Sequence, residues 1–143
     1  MKWEAILDKR KTLLNRRQFL VGGISAAMVG PTQAMAPKTG FILIGASWCP
    51  VCHRAAPVLA MFAQNLGAPV LVASADSRPI APFEKFVPAQ DHPIASAVNA
   101  YPTTLVFSGN SNHIVSSIEG YRNPKFYMKK LLDAVSAIEN GRA

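Results

Sequence analysis

Cysteine is nearly absent from this 143-residue chain, which has two, Cys49 and Cys52. A bridge closing so short a loop removes little entropy from the unfolded state, and a chain that is 50% hydrophobic does not need such a staple to fold. A purely structural disulfide is therefore the weaker use of the pair. Long hydrophobic runs are missing as well. The stretch from Phe19 to Gly30 is only mildly apolar and falls well short of the roughly 18 residues of a membrane span, which disfavours an uncleaved anchor. Beyond residue 36 there is no basic stripe interleaved with aromatics, so nucleic acid is not an expected partner despite a net charge of +7. Internal repeats and low-complexity stretches are also lacking, and the hydrophobic content excludes a disordered chain.

The charge that is present is unevenly placed. Lys2, Lys9, Arg10, Lys11, Arg16 and Arg17 stand against Glu4 and Asp8 in the first 36 residues, leaving that segment at +4 and the remainder at only +3. Asn15-Arg16-Arg17-Gln18-Phe19-Leu20 leads into the mild apolar run, which ends at Pro31 and the small-residue site Ala34-Met35-Ala36. A basic region, a short apolar region and an A-x-A site together form a cleavable export signal. The segment resembles the twin-arginine signal, Ser/Thr-Arg-Arg-x-Phe-Leu, with Asn15 in place of the usual Ser/Thr. The expectation is a signal over residues 1–36 and a domain over residues 37–143. Export would deliver the mature chain, starting at Pro37, to the periplasm, where a disulfide can persist. An uncleaved signal would leave it tethered to the membrane.

After the signal the hydrophobic pattern predicts one small α/β unit. Phe41-Ile42-Leu43-Ile44 and Val70-Leu71-Val72-Ala73 read as strands buried on both faces. Between them Ala55, Leu59, Phe62, Ala63 and Leu66 recur at helical spacing within Val51 to Leu66. Thr103 to Phe107 and Ile114 to Ile118 flank a Ser-Gly-Asn-Ser-Asn turn and predict an antiparallel hairpin. A last helix has Asn123 as N-cap, Pro124 at its first position and Tyr127, Leu131, Ala134, Val135 and Ile138 along one face. The connector from Asp76 to Ala100 is broken by prolines 79, 82, 88 and 93, which leaves a short helix around Ile94 to Asn99 as its ordered piece.

Both cysteines lie in Ser47-Trp48-Cys49-Pro50-Val51-Cys52-His53, a spacing open to three chemistries: thiol–disulfide exchange, haem attachment through Cys-x-x-Cys-His, and soft-metal binding. Haem would need His53 and a distant axial ligand such as Met61 or Met128, with Pro57 falling in the attachment helix. For copper or zinc, His53, His92 and His113 show no ligand spacing with the cysteines. Exchange suits the placement, because a thiol at the start of a helix meets free backbone N–H groups and the positive end of the helix dipole. Cys49 is then expected to be the exposed, acidic thiol, with Cys52 one turn on to resolve a mixed disulfide. His53 reads as an exposed helix residue whose protonated ring favours the thiolate. Lys125, Lys129 and Lys130 read as a solvated face that serves solubility. Tyr121 and Arg122 either border the site or form a solvated turn.

Trp48-Cys49-Pro50-Val51-Cys52, with Pro57 five residues after the second cysteine, Tyr101-Pro102-Thr103 before the hairpin and Gly120 after the last strand, resembles the thioredoxin superfamily over about Phe41 to Ile138. The resemblance implies a minimal β-α-β-α-β-β-α thioredoxin fold around a four-stranded mixed sheet. It implies Cys49 as nucleophile, Cys52 as resolving cysteine, and Tyr101 with a cis Pro102 binding the substrate backbone; Trp48 would rim the groove. A cis peptide there sets a carbonyl and a ring beside the sulfurs without a competing N–H. The buried Asp that cytosolic thioredoxins keep as proton acceptor is replaced by Leu43, leaving water or Glu119 to take the proton of Cys52. The implied function is that of an exported, monomeric protein-disulfide oxidoreductase without further cofactor, acting on protein thiols and disulfides, more reductase than oxidase, and served by a membrane redox partner. A copper metallochaperone using the same cysteines is the alternative.

Overall fold

A computed structural model describes residues 37–142; the expected signal over residues 1–36 lies outside the described residues. Strand β1 (Thr39–Gly45) is the centre of the sheet because its side chains are apolar on both faces. It runs parallel to β2 (Val70–Ser74), with Phe41 opposite Val70 and Gly45 opposite Ser74. Helix α1 (Pro50–Leu66) makes the crossover. Gly67 stops it with a left-handed φ of 69°, a conformation that glycine adopts without a Cβ penalty. On its other side β1 pairs antiparallel with β4 (Thr103–Ser108), which forms the hairpin with β5 (His113–Glu119). Helix α2 (Pro124–Glu139) follows, and the Asn123 side chain accepts from the Phe126 N–H at 2.8 Å, as its N-cap position predicts.

The four expected strands are joined by a fifth, β3 (Val87–Pro88), giving the order β3-β2-β1-β4-β5. Two residues, one of them Pro88, carry no strand period, and a proline is tolerated there because β3 is an edge. The helix expected around Ile94 to Asn99 is instead a single 3₁₀ turn at Ala95–Ala97, preceded by another at Ala89–Asp91. There the Val98 N–H closes back on the Ala95 carbonyl at 3.1 Å, the i to i+3 bond of a 3₁₀ turn.

The two sheet faces are consequently covered unequally. Phe41, Leu43, Val72 and Val106 point to the face that holds both helices, where Leu59, Phe62, Tyr127 and Leu131 are buried against them. Phe41 and Phe62 meet edge to face at 5.9 Å. Ile44, Ala73 and Leu105 point the other way and are covered by Ala89 and Ala95 of the 3₁₀ turns. On that side Leu71 and Ile94 remain partly exposed.

Candidate active site

The cysteine pair is placed by the exit from β1. Cys49 is the N-cap of α1, with extended backbone (φ −81°, ψ 112°), and Pro50 occupies the first helical turn, where its missing N–H has no partner to lose. The Cys49 N–H donates to the Ala46 carbonyl at 3.2 Å, and the Cys52 N–H donates to the Cys49 sulfur, also at 3.2 Å. That second bond does for a sulfur what an oxygen does at an ordinary N-cap, and a donor aimed at Sγ stabilises a thiolate. Both cysteines are free thiols. Cys49 is not the open residue that its position predicts: only 5% of its surface is exposed, because its sulfur turns inward to the Cys52 N–H.

Cys52 is fully buried. Burial, helped by the Cys49 sulfur beside it, pushes its thiol from 9.0 up to about 12, against the lowering effect of the Ala46 backbone. The wall over it is Gly45, at whose α-carbon a Cβ would stand 2.9 Å from the Cys52 sulfur and 3.3 Å from Ile80 Cδ1. Gly45 is therefore a site residue that sequence reasoning passed over; its one signal was a glycine at the end of an apolar strand. Leu43 is buried in the core, so no acid replaces the missing Asp there. Glu119 is exposed at the end of β5, opposite Thr103.

A second missed group is Asp76, just beyond β2. Its carboxylate accepts from the Ser47 N–H at 3.1 Å, from the Ser47 hydroxyl, and from the Ser74 hydroxyl at 2.8 Å. Burial alone would raise this carboxyl, but the donors from Ser47 and Ser74 outweigh it and bring it from 3.8 down to about 2. The Ser47 carbonyl is bonded in turn to the His53 ring through Nε2, so the residue before Trp48 is held on both sides. The Ala75 N–H reaches the Gly45 carbonyl at 2.8 Å beside it.

Trp48 is 67% exposed and meets Tyr101 edge to face, 6.3 Å between centroids. The Tyr101–Pro102 peptide is cis, and Pro102 is buried. The β1–β4 register pairs Ile44 with Thr103, and one step further sets Pro102 opposite Gly45, the residue against Cys52. Across the hairpin the Gly120 N–H donates to the Pro102 carbonyl at 2.7 Å. Ser74, Gly45, Pro102 and Gly120 thus stand in a row at one end of the sheet, with the cysteines beside them. Trp48, Cys49, Cys52, Tyr101 and Pro102 are brought together; His92 and His113 lie on the 3₁₀ segment and the β4–β5 hairpin, and among the described residues no three His, Cys, Asp or Glu side chains gather as a metal site.

A family model described as TraF, F plasmid transfer operon protein, matches residues 31–119, through the end of β5. Among curated protein sequences none matches. Among solved structures, the candidate thiol:disulfide interchange protein DsbE of Chlorobium tepidum is similar with a TM-score of 0.52 and 18% identity, over 68% of this chain and 80% of that one. MTB dsbF, solved in mixed oxidized and reduced forms, gives a TM-score of 0.52 at 16% identity, over 71% of this chain and 81% of that one. At such identities the likeness establishes the fold, and it is the thioredoxin fold.

Proposed function

Because this chain belongs to the family described as TraF, F plasmid transfer operon protein, and folds as a thioredoxin, we propose that it exchanges thiols and disulfides with partner proteins through Cys49 and Cys52. The observation that carries the reading is the unequal pair: an N-cap sulfur accepting a backbone N–H, one turn from a buried sulfur held as a thiol.

The Cys49 thiolate attacks one sulfur of a partner disulfide. A Cys49–partner bond forms, the partner's S–S bond breaks, and the departing partner sulfur takes up a proton. Cys52 then gives its proton to water and attacks the Cys49 sulfur, closing the Cys49–Cys52 disulfide and releasing the second partner thiol. Two electrons and two protons have passed to the partner, and a dithiol donor must restore the pair. Trp48 and Tyr101 form the rim on which the partner rests, and the Tyr101-Pro102 backbone orients its extended segment.

The reductive direction is favoured by the short connector between β2 and β4, which has two 3₁₀ turns where the oxidases of this superfamily carry a large helical insertion. The resemblance of residues 1–36 to a twin-arginine signal supports a periplasmic reaction, and the proposed electron donor is a membrane protein. For a copper carrier the same cysteines offer two ligands, and the His53 ring that could add a third is turned to the Ser47 carbonyl.

Equilibration with glutathione tests the reading. A midpoint near about −270 mV marks a thioredoxin-like reductant and one near about −120 mV a strong oxidant. Cys49→Ser should abolish reduction of insulin, and Cys52→Ser should accumulate mixed disulfides with substrate. A fully active Cys49→Ser protein would refute the assignment of roles.

A further inference from the structure

We infer that the cavity beside Gly120 is a subsite for an acidic side chain of the polypeptide whose cysteine reacts at Cys49, an inference that rests on the thiol–disulfide reading above. The cavity holds about 280 Å³ and opens between the end of β5 and the first turns of α2. Its floor is rigid. Tyr127 is buried, packs edge-on against Tyr121 at 5.3 Å and shares a hydrogen bond of 2.6 Å with the Thr104 hydroxyl.

Its walls are cationic and aromatic. The Arg122 guanidinium and the Lys130 ammonium both stand over the Phe126 ring, 5.9 and 5.0 Å from its centroid. The ring holds two long side chains in place, so part of the ordering cost that exposed cations normally meet on binding is met in the free protein. Phe126 itself leaves 41% of its surface open. Two positive heads beside an aromatic face suit the carboxylate and short apolar stem of Glu or Asp, and the guanidinium can grip a carboxylate with two N–H donors. Glu119 also lines the cavity, but Arg122 and Lys130 outnumber it and leave the lining net positive.

Position ties the cavity to the reacting sulfurs. Gly120 lines it and donates its N–H to the Pro102 carbonyl, so the cavity begins one strand over from the segment expected to hold the partner's backbone. A partner chain lying across Tyr101-Pro102 and continuing over β5 delivers its next side chains there. Arg122, Lys130 and Phe126 then select which cysteine-bearing segment is accepted, and do not touch the sulfurs.

The test uses the reduced full chain and synthetic one-cysteine peptides, each activated as a thionitrobenzoate disulfide. In the set a single glutamate occupies each position around the cysteine in turn, with glutamine as its counterpart. Rates of thionitrobenzoate release are divided by those given by free glutathione, which removes the peptides' intrinsic reactivity. At one or more positions the glutamate peptide should react about five-fold faster than its glutamine twin at low salt, the advantage fading as salt is added. In the Arg122→Gln/Lys130→Gln double variant the ratio should fall to about one. Equal rates for all pairs, or a preference that survives the double variant, overturns the inference while leaving exchange chemistry in place. If no peptide reacts faster with the wild-type chain than with Cys49→Ser, the exchange reading fails and the subsite with it.

Discussion

At the scale of single residues, the site depends on two positions that touch no substrate. Gly45 leaves the space that the Cys52 sulfur fills, and a methyl group there would overlap it. Gly45→Ala should lower stability by about 1–3 kcal/mol, the usual cost of overpacking, and lengthen the life of mixed disulfides by displacing Cys52; urea titration and mass spectrometry of trapped species read the two effects. Asp76 is the other. Its carboxyl lies lower in the folded chain, at about 2, than the ordinary 3.8, so its contribution is complete above about pH 4 and is lost as the pH falls towards 2. Asp76→Asn should therefore be less stable than wild type at pH 7 and show a shallower acid loss between those limits, as followed by circular dichroism.

The cysteines, Trp48 and Pro102 could be read from the sequence because their signals are local: a spacing, a neighbouring aromatic, a proline before a strand. Asp76 could not, because its partner Ser47 is 29 residues away and joins it only through the β1–β2 register. Gly45 could not because its role is an empty volume. Lys130 was legible as a helix-face cation and nothing more, since its contact with Phe126 depends on side-chain packing.

At the scale of elements, propensity and capping agreed with the fold wherever the period was strong. β1, α1, β2, the β4–β5 hairpin and α2 all appear where apolar spacing, Asn123 and Pro124 put them. The weak stretch was Asp76 to Ala100, where prolines erase both the strand and the helix period; there the chain forms a two-residue strand and two 3₁₀ turns held by i to i+3 bonds. The caps themselves can be tested. Asn123→Ala removes the acceptor for the Phe126 N–H and should cost about 1 kcal/mol, measured by chemical denaturation. Because α2 also carries Arg122's neighbour Phe126 and Lys130, the same change is expected to loosen the cavity before it disturbs the cysteines, which ride on α1.

At the scale of the whole molecule, the sheet has a heavy side and a light side. Among the described residues two long helices seal one face, whereas the other is covered by the 3₁₀ turns and leaves Leu71 and Ile94 partly open. Local opening should therefore start in the light cover. Amide hydrogen exchange should be fastest in residues 76–100 and slowest in β1 and β4, with α1 protected nearly as long as the global fold. That segment includes Ile80, which lies against the Gly45 wall of Cys52. Ile80 itself packs with Cys52 on the helical face, so an opening of the connector that reaches far enough to lift it would hydrate the deeper sulfur while its helix stays folded, giving the resolving thiol a route to solvent past the connector.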